Sequence, residues 1–317
     1  MTVFYLVGPG IGIPTLRDLF PELKRAELED LLHRYRRLYF RKNRVCLHLL
    51  RWHKPGTGWA MDFCQPPQPV DGIYPYVFMV RDLASGNQLL SLPVPSRELK
   101  HVIDALRVLF VHTGAPLVLK SDNEFDAGFV SRFGDDLQRV ARSQLAALLT
   151  EFIVTPFLSP PYFPRYNGAI EAGIGAFTIR TLTRGRAHLE AARHGHPLEW
   201  NCNDVESARL QANEESRPWG FDQNTPDIAW IERTPVSPLD RTAFANSTVD
   251  LAYRQTVQLC EQELRQDKQH ELLEGIPLGP RDIASVRRAA ICRALVKHGF
   301  LSIRRKRFTL PFKYKLA

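Results

Sequence analysis

A chain of 317 residues, 44% hydrophobic and 24% charged, has the composition of a soluble globular protein and length enough for about two domains. It contains no apolar run of the ~18 residues needed to span a bilayer. The apolar patch at residues 3–7 is cut short by Gly8, Pro9 and Gly10 and lacks the basic start of a signal peptide. Five cysteines (Cys46, Cys64, Cys202, Cys260 and Cys292), an odd number without a Cys-x-x-Cys pair, point to reduced thiols and a cytoplasmic protein.

The net charge of +8 is unevenly spread. Residues 33–44 carry six Lys or Arg and no acid, and residues 281–317 carry eleven against the single acid Asp282. Together these segments hold +16, which leaves −8 for the rest of the chain. Basic ends around an acidic middle suit a polyanionic partner, although a charge run is as often a solvated face.

In chain order, residues 14–50 read as helical, broken at Pro21, with Leu28, Leu31, Leu32 and Tyr35 at helical spacing. Residues 54–58 (Lys-Pro-Gly-Thr-Gly) punctuate the chain as a linker. The period then becomes that of strands. In residues 59–64, Trp59, Met61 and Phe63 share one face and Asp62 takes the other. Residues 74–80 read as a buried central strand, and Gly86 turns the chain into a third strand at 88–94, completing an antiparallel meander. Ser96 caps a helix with apolar positions Leu99, Val102, Ile103, Leu106 and Phe110, closed by Gly114. A fourth strand at 117–119, a helix at 135–149 and a fifth strand at 152–157 follow. A Pro-rich connection at 160–164 then leads to a helix starting near Asn167. Beyond these come helices at 204–215 and 249–274. A basic end reads as a helix at 283–297 and two short strands at 300–303 and 307–310. The core order βββαβαβα is that of an α/β, ribonuclease H-like fold, a mixed five-stranded sheet flanked by helices. The expected organisation is a helical, basic N-terminal segment (1–54), the sheet-bearing core with trailing helices (55–235), and a small helical and basic C-terminal module (236–317).

Three acids occupy positions where the pattern predicts something else. Asp62 lies mid-strand, where an ionised carboxylate is costly without a partner. Asp122 follows the fourth strand in Lys-Ser-Asp-Asn, and Glu171 falls in the first turn of the helix that starts near Asn167. In a ribonuclease H-like sheet these three places adjoin. Alone, a strand-end aspartate is more often a turn or cap residue. As a trio the acids repel one another unless divalent cations sit among them. Two Mg²⁺ or Mn²⁺ ions so held would activate an attacking oxygen and stabilise a leaving one in phosphoryl transfer.

Three blocks carry a resemblance: Trp59-Ala-Met-Asp62-Phe, Ser121-Asp122-Asn123, and Pro161-Tyr-Phe-Pro-Arg-Tyr-Asn-Gly-Ala-Ile-Glu171. They resemble the signature blocks of the integrase catalytic core in DDE-type transposases of bacterial insertion sequences, relatives of retroviral integrases. A weaker fourth block, Asn213 through Arg217-Pro218 to Thr225-Pro226 and Trp230, is similar to the segment that follows this core. The resemblance covers residues 45–235. It implies Asp62, Asp122 and Glu171 as catalytic metal ligands, cleavage at the ends of a mobile element, and attack of the freed 3′-hydroxyl on target DNA. It also implies double-stranded DNA as the partner and a homo-multimer that pairs two ends.

The chain departs from that pattern at three points. Glu124 stands where the family commonly has Gly. The Asp122–Glu171 interval is longer than usual, which a surface insertion at 126–140 accounts for. Thr178 stands where many relatives have Lys, on the Glu171 face of the helix. Two alternatives therefore stay open: an inactive DNA-binding relic, and a ribonuclease H-like nuclease that hydrolyses without joining.

Candidate DNA contacts are Arg165, Tyr166 and Asn167 before the catalytic helix, Arg36, Arg37, Arg41 and Lys42 in the first basic run, and Arg304, Arg305, Lys306 and Arg307 in the last. His33, His48, His53, Cys46 and Cys64 lack the spacing of a zinc module. No complete helix-turn-helix pair precedes the core, which predicts either an upstream reading frame that supplies one or a start lying further upstream.

Overall fold

The computed structural model describes residues 11–42, 46–122, 135–159, 168–191, 200–267 and 280–307. Its central sheet is built from β2 (Gly58–Cys64), β3 (Tyr76–Asp82), β4 (Gln88–Val94), β5 (Val118–Ser121) and β6 (Thr155–Leu158), in the order β4-β3-β2-β5-β6. β3 and β4 continue β2 as an antiparallel meander, while β5 and β6 run parallel to it. This is the ribonuclease H-like arrangement that the element order predicts.

The alternation in β2 divides two cores. Trp59 and Met61 join Phe78, Val80 and Leu119 on one face. There they are covered by α3 (Leu99–Thr113), through Val102, Leu106 and Phe110, and by α4 (Asp135–Glu151), through Leu148 and Leu149. The Trp59 and Phe110 rings lie 5.8 Å apart, each residue at most 2% exposed. Side chains buried to this degree contribute about 1.5–3 kcal/mol apiece. On the other face, Ala60 meets Ile170 of α5 (Gly168–Ala191). Cys64, Val77 and Met79 meet Phe177 of α5 and Val205 and Ala208 of α6 (Cys202–Glu214).

The turn between β3 and β4 is organised by Asp82, which is fully buried. Its carboxylate accepts from the backbone N–H groups of Gly56 (2.8 Å), Ala84 (3.1 Å) and Ser85 (2.7 Å) and from the Ser85 hydroxyl (2.7 Å). Burial pushes this carboxyl up, and the four donors pull it back. One side chain thereby ties the linker at 54–58 to the hairpin.

The block from Asn213 to Trp230 serves the fold. Asn213 lies buried at the end of α6, its Oδ1 accepting from the N–H of Gln88 (2.8 Å) and its Nδ2 donating to the Gln88 carbonyl (3.1 Å). It mimics a neighbouring strand along the exposed edge at β4. Arg209 donates to the same carbonyl at 2.9 Å. Thr225 caps α7 (Pro226–Ile231), and Trp230 of that helix packs 6.1 Å from Trp59. Arg233 stacks 3.5 Å over Trp230 and reaches the carbonyls of Trp230 and Thr113. Arg241, early in α8 (Pro238–Asp267), donates to the carbonyls of Ala115 and Pro116.

Contacts divide the chain into Trp52–Leu301 and a smaller unit formed by Met1–Arg51 with Ser302–Ala317. α8 and α9 (Pro280–Lys297) group with the sheet-bearing unit. The smaller unit contains α1 (Ile13–Leu19) and α2 (Arg25–Lys42), which bury Leu16, Leu28, Leu32 and Tyr35. Two expectations are corrected here. Residues 46–50 are not helical: β1 (Cys46–Trp52) is a strand, paired with β7 (Leu301–Arg307). β7 also runs unbroken through residues 304–306, where a turn between two strands was expected, since Arg304-Arg-Lys contains no turn-forming residue; residues 308–310 of the expected second strand lie outside the described residues. In the larger unit, the α3 cap falls at Glu98 without a side-chain cap bond, and Ser96 instead accepts from the Glu98 N–H at 3.4 Å. Gly114 closes α3 as expected, at φ 79°, where a side chain would be strained. No helix among the described residues is long and apolar enough to cross a membrane.

Asn213→Ala is expected to lower unfolding stability by about 1–3 kcal/mol in urea titration, because it strips two partners from a buried strand edge. Asn224→Ala, on the exposed surface, is expected to change it by less than about 0.5 kcal/mol.

Candidate active site

β2 and β5 lie side by side with Gly58, Trp59 and Ala60 opposite Val118, Leu119 and Lys120. Asp62, two residues from both Ala60 and Cys64 along β2, belongs to the face that those residues present to α5. Asp122 directly follows β5. Glu171 enters from that helix, as the acid of its first turn.

Glu171 is exposed, yet its carboxyl is pushed above the ordinary range, by partial desolvation first and by Asp122 second, with Lys120 opposing. Asp122 and Glu171 thus act on one another electrically. Asp62 is half-buried, and its Oδ1 accepts from the Phe63 N–H at 2.7 Å, which fixes one carboxylate oxygen against the strand. Asp62 also adds to the upward push that burial gives the Cys64 thiol.

Among the described residues, no three His, Cys, Asp or Glu side chains stand close enough to hold a metal ion together. Of the three acids, Asp122 bears electrostatically on Glu171, and Asp62 lies in β2 on the face that α5 covers. The donors themselves, hard carboxylate oxygens on three separate elements, fit Mg²⁺ or Mn²⁺.

Lys120 was not among the residues singled out from sequence. It is 4% exposed, and burial lowers its ammonium pKa to about 8, with Asp122, Cys292 and Glu171 holding it up, in that order. It supplies a cation beside the acids. The signal was present in the sequence, as a lysine inside the four-residue strand Val118–Ser121.

Thr178 lies half-buried against β2, its hydroxyl 3.8 Å from the Cys64 sulfur, whereas Glu171 is exposed. Arg165, Tyr166, Asn167 and Glu124 lie outside the described residues, as does most of the expected insertion at 126–140. Of the basic candidates in the smaller unit, Arg36 and Arg37 are half-buried, and Arg36 donates to the Ile11 carbonyl at 2.9 Å, anchoring the segment before α1. Arg304 is exposed on β7; the side chains of Arg41, Lys42, Arg305, Lys306 and Arg307 lie outside the described set.

No family model matches the sequence, and no curated protein does. Among solved structures, the chain is similar to one from the simian T-cell lymphotropic virus intasome in complex with PP2A regulatory subunit B56 gamma. That match has 15% identity over 73% of this chain and 79% of the other, with a TM-score of 0.43. It is also similar to the HTLV-2 integrase catalytic core domain in complex with magnesium (16%; 57% and 99% covered; TM-score 0.40) and to the catalytic core domain of BIV integrase (17%; 56% and 95%; TM-score 0.39).

The raised Glu171 carboxyl has a consequence for stability. A carboxyl with a higher pKa folded than unfolded holds its proton more tightly in the native state, so ionising it costs stability as pH rises through the folded value. Glu171→Gln is therefore expected to raise the thermal midpoint of the metal-free protein near neutral pH. The gain is expected to vanish once pH falls below the ordinary glutamate value of 4.5. Thermal unfolding followed by circular dichroism at both ends of that window checks the sign.

Proposed function

We propose that this chain is a DDE-type transposase that cleaves DNA and joins the freed 3′-hydroxyl to a target strand, with Asp62, Asp122 and Glu171 as the metal ligands. The observation that supports the reading is the effect of Asp122 on the Glu171 carboxyl, next to the parallel β2–β5 pairing that ends at Ala60 and Lys120, two residues short of Asp62 and Asp122. The three signature blocks supply the residue types at those places.

Two Mg²⁺ or Mn²⁺ ions held by these carboxylates would supply Lewis-acid stabilisation to the attacking and leaving oxygens. The chain's own groups do the rest. The Phe63 N–H holds one oxygen of Asp62 in place. Lys120 offsets part of the acid charge and stays mostly protonated at neutral pH with a pKa of about 8. Asp122 and Glu171, raising each other's energy when bare, are poised to gain from a cation.

Arg165, Tyr166 and Asn167, just before α5, would meet the DNA backbone near the scissile phosphate. The smaller unit, which holds the first basic segment and the end of the last, would grip phosphates through Arg37, Arg41, Lys42 and residues 304–307 without reading bases. Pairing two element ends favours a homo-multimer on nucleoid DNA in the cytoplasm.

The test uses 3′-hydroxyl duplexes copied from the sequence flanking the gene, a supercoiled plasmid target, and Mn²⁺. Joined products are expected from the parent, with losses of about 10³-fold or more in each of Asp62→Asn, Asp122→Asn and Glu171→Gln, the scale of several kcal/mol of charge stabilisation. Hydrolysis without joining would identify a nuclease, and DNA binding without either reaction a relic. Arg304→Ala is expected to make the slope of log K against log salt shallower by about 0.9, one phosphate contact. A fluorescence-anisotropy salt series measures it.

A further inference from the structure

Arg81 stands near the end of β3, on the face that α5 covers. Its Nη1 donates to the carbonyl oxygen of Ala169 at 2.7 Å and its Nε to that of Gly86 at 3.1 Å. Ala169 is the second residue of α5, two before Glu171. In an α-helix its oxygen already serves the N–H four residues on, so the guanidinium takes the remaining lone pair. One planar group thus bridges the β3–β4 turn to the first turn of the helix that carries Glu171.

Gly173 closes the bracket from the other side. A Cβ there would stand 2.6 Å from Gln88 Nε2, 2.7 Å from Arg81 Nη1 and 3.1 Å from Arg81 Cδ, so a side chain at 173 would push both of these side chains aside. Glu171 therefore sits between Ala169, where Arg81 is bonded to α5, and Gly173, where the helix passes close to the same guanidinium. The β3–β4 hairpin is itself locked by Asp82.

We infer that Arg81 is a positioning residue for Glu171: with Gly173 it sets how far the first turn of α5 stands from the sheet, and hence the separation of Glu171 from Asp122. The inference rests on the proposed reading for its catalytic consequence, but the geometry it asserts is independent of it. Arginine is required because two carbonyls in different elements are reached by two N–H groups of one rigid fork, which an ammonium cannot reproduce. A displacement of about 1 Å at a reacting group costs as much as 10²-fold in rate.

The experiment compares the full-length parent with Arg81→Met, Arg81→Lys, Gly173→Ala and Glu171→Gln in two measurements. The first is amide hydrogen exchange without metal or DNA, read at residues 172–176, whose N–H groups bond to the first-turn carbonyls of α5. The second is kcat and KM for DNA cleavage with Mn²⁺. Arg81→Met is expected to speed exchange in that segment about tenfold and to lower kcat about 10²-fold at unchanged KM. Arg81→Lys is expected to recover part of both, and Gly173→Ala to lower kcat by displacing the guanidinium. Glu171→Gln is expected to lose kcat with parental exchange. Unchanged exchange in Arg81→Met, or faster exchange with parental kcat, overturns the inference. Should Arg81→Met fail to fold, Arg81→Lys and Gly173→Ala decide it by the same two readings. A parent that does not cleave DNA sinks the functional reading instead, and exchange at 172–176 then decides the positioning role alone.

Discussion

The pairing of β2 with β5 is the constraint on which the rest of the site depends. Parallel strands need a crossover between them, here supplied by the meander and α3, and they are buried on both faces. A shift of one residue in this pairing would turn Asp62 and Asp122 to opposite faces. The register is held by what packs on each side: Trp59 and Leu119 against α3 and α4, and Ala60 against α5. Apolar packing thereby fixes the spacing of two charges that would otherwise separate.

Charge is handled by position in this molecule. Asp82 is buried where four donors neutralise it, and its role ends with the turn it organises. At Glu171 burial and the nearby Asp122 both push the carboxyl up, with the buried Lys120 ammonium opposing them.

Much of the core was legible because its strands are buried and its helices amphipathic. β4 falls on residues 88–94 as read, and α3 shows its apolar positions at the expected spacing. What was missed depended on partners distant in sequence. β1, read as the end of a helical stretch, is a strand whose partner β7 lies far along the chain. The block at Asn213 to Trp230 was visible as a motif, but its work, covering the β4 edge and filling the space against Trp59, is a matter of three-dimensional contact. Lys120 and Arg81 were hidden for another reason: a basic residue in a strand has no periodicity to betray which acid or carbonyl it will meet. Arg36 shows the converse, a member of a basic run spent on a carbonyl of its own chain.

The β1–β7 pairing bears on how the protein is made. About 250 residues separate the two strands, which at a synthesis rate of roughly 5–20 residues per second is an interval on the order of 10–50 s. The sheet-bearing unit is one uninterrupted stretch and emerges whole during that interval. The smaller unit has its first strand on the outside of the ribosome from early on and no partner for it until the chain is nearly finished. The order of emergence thus places completion of the basic unit last, after the carboxylates are already set in their sheet.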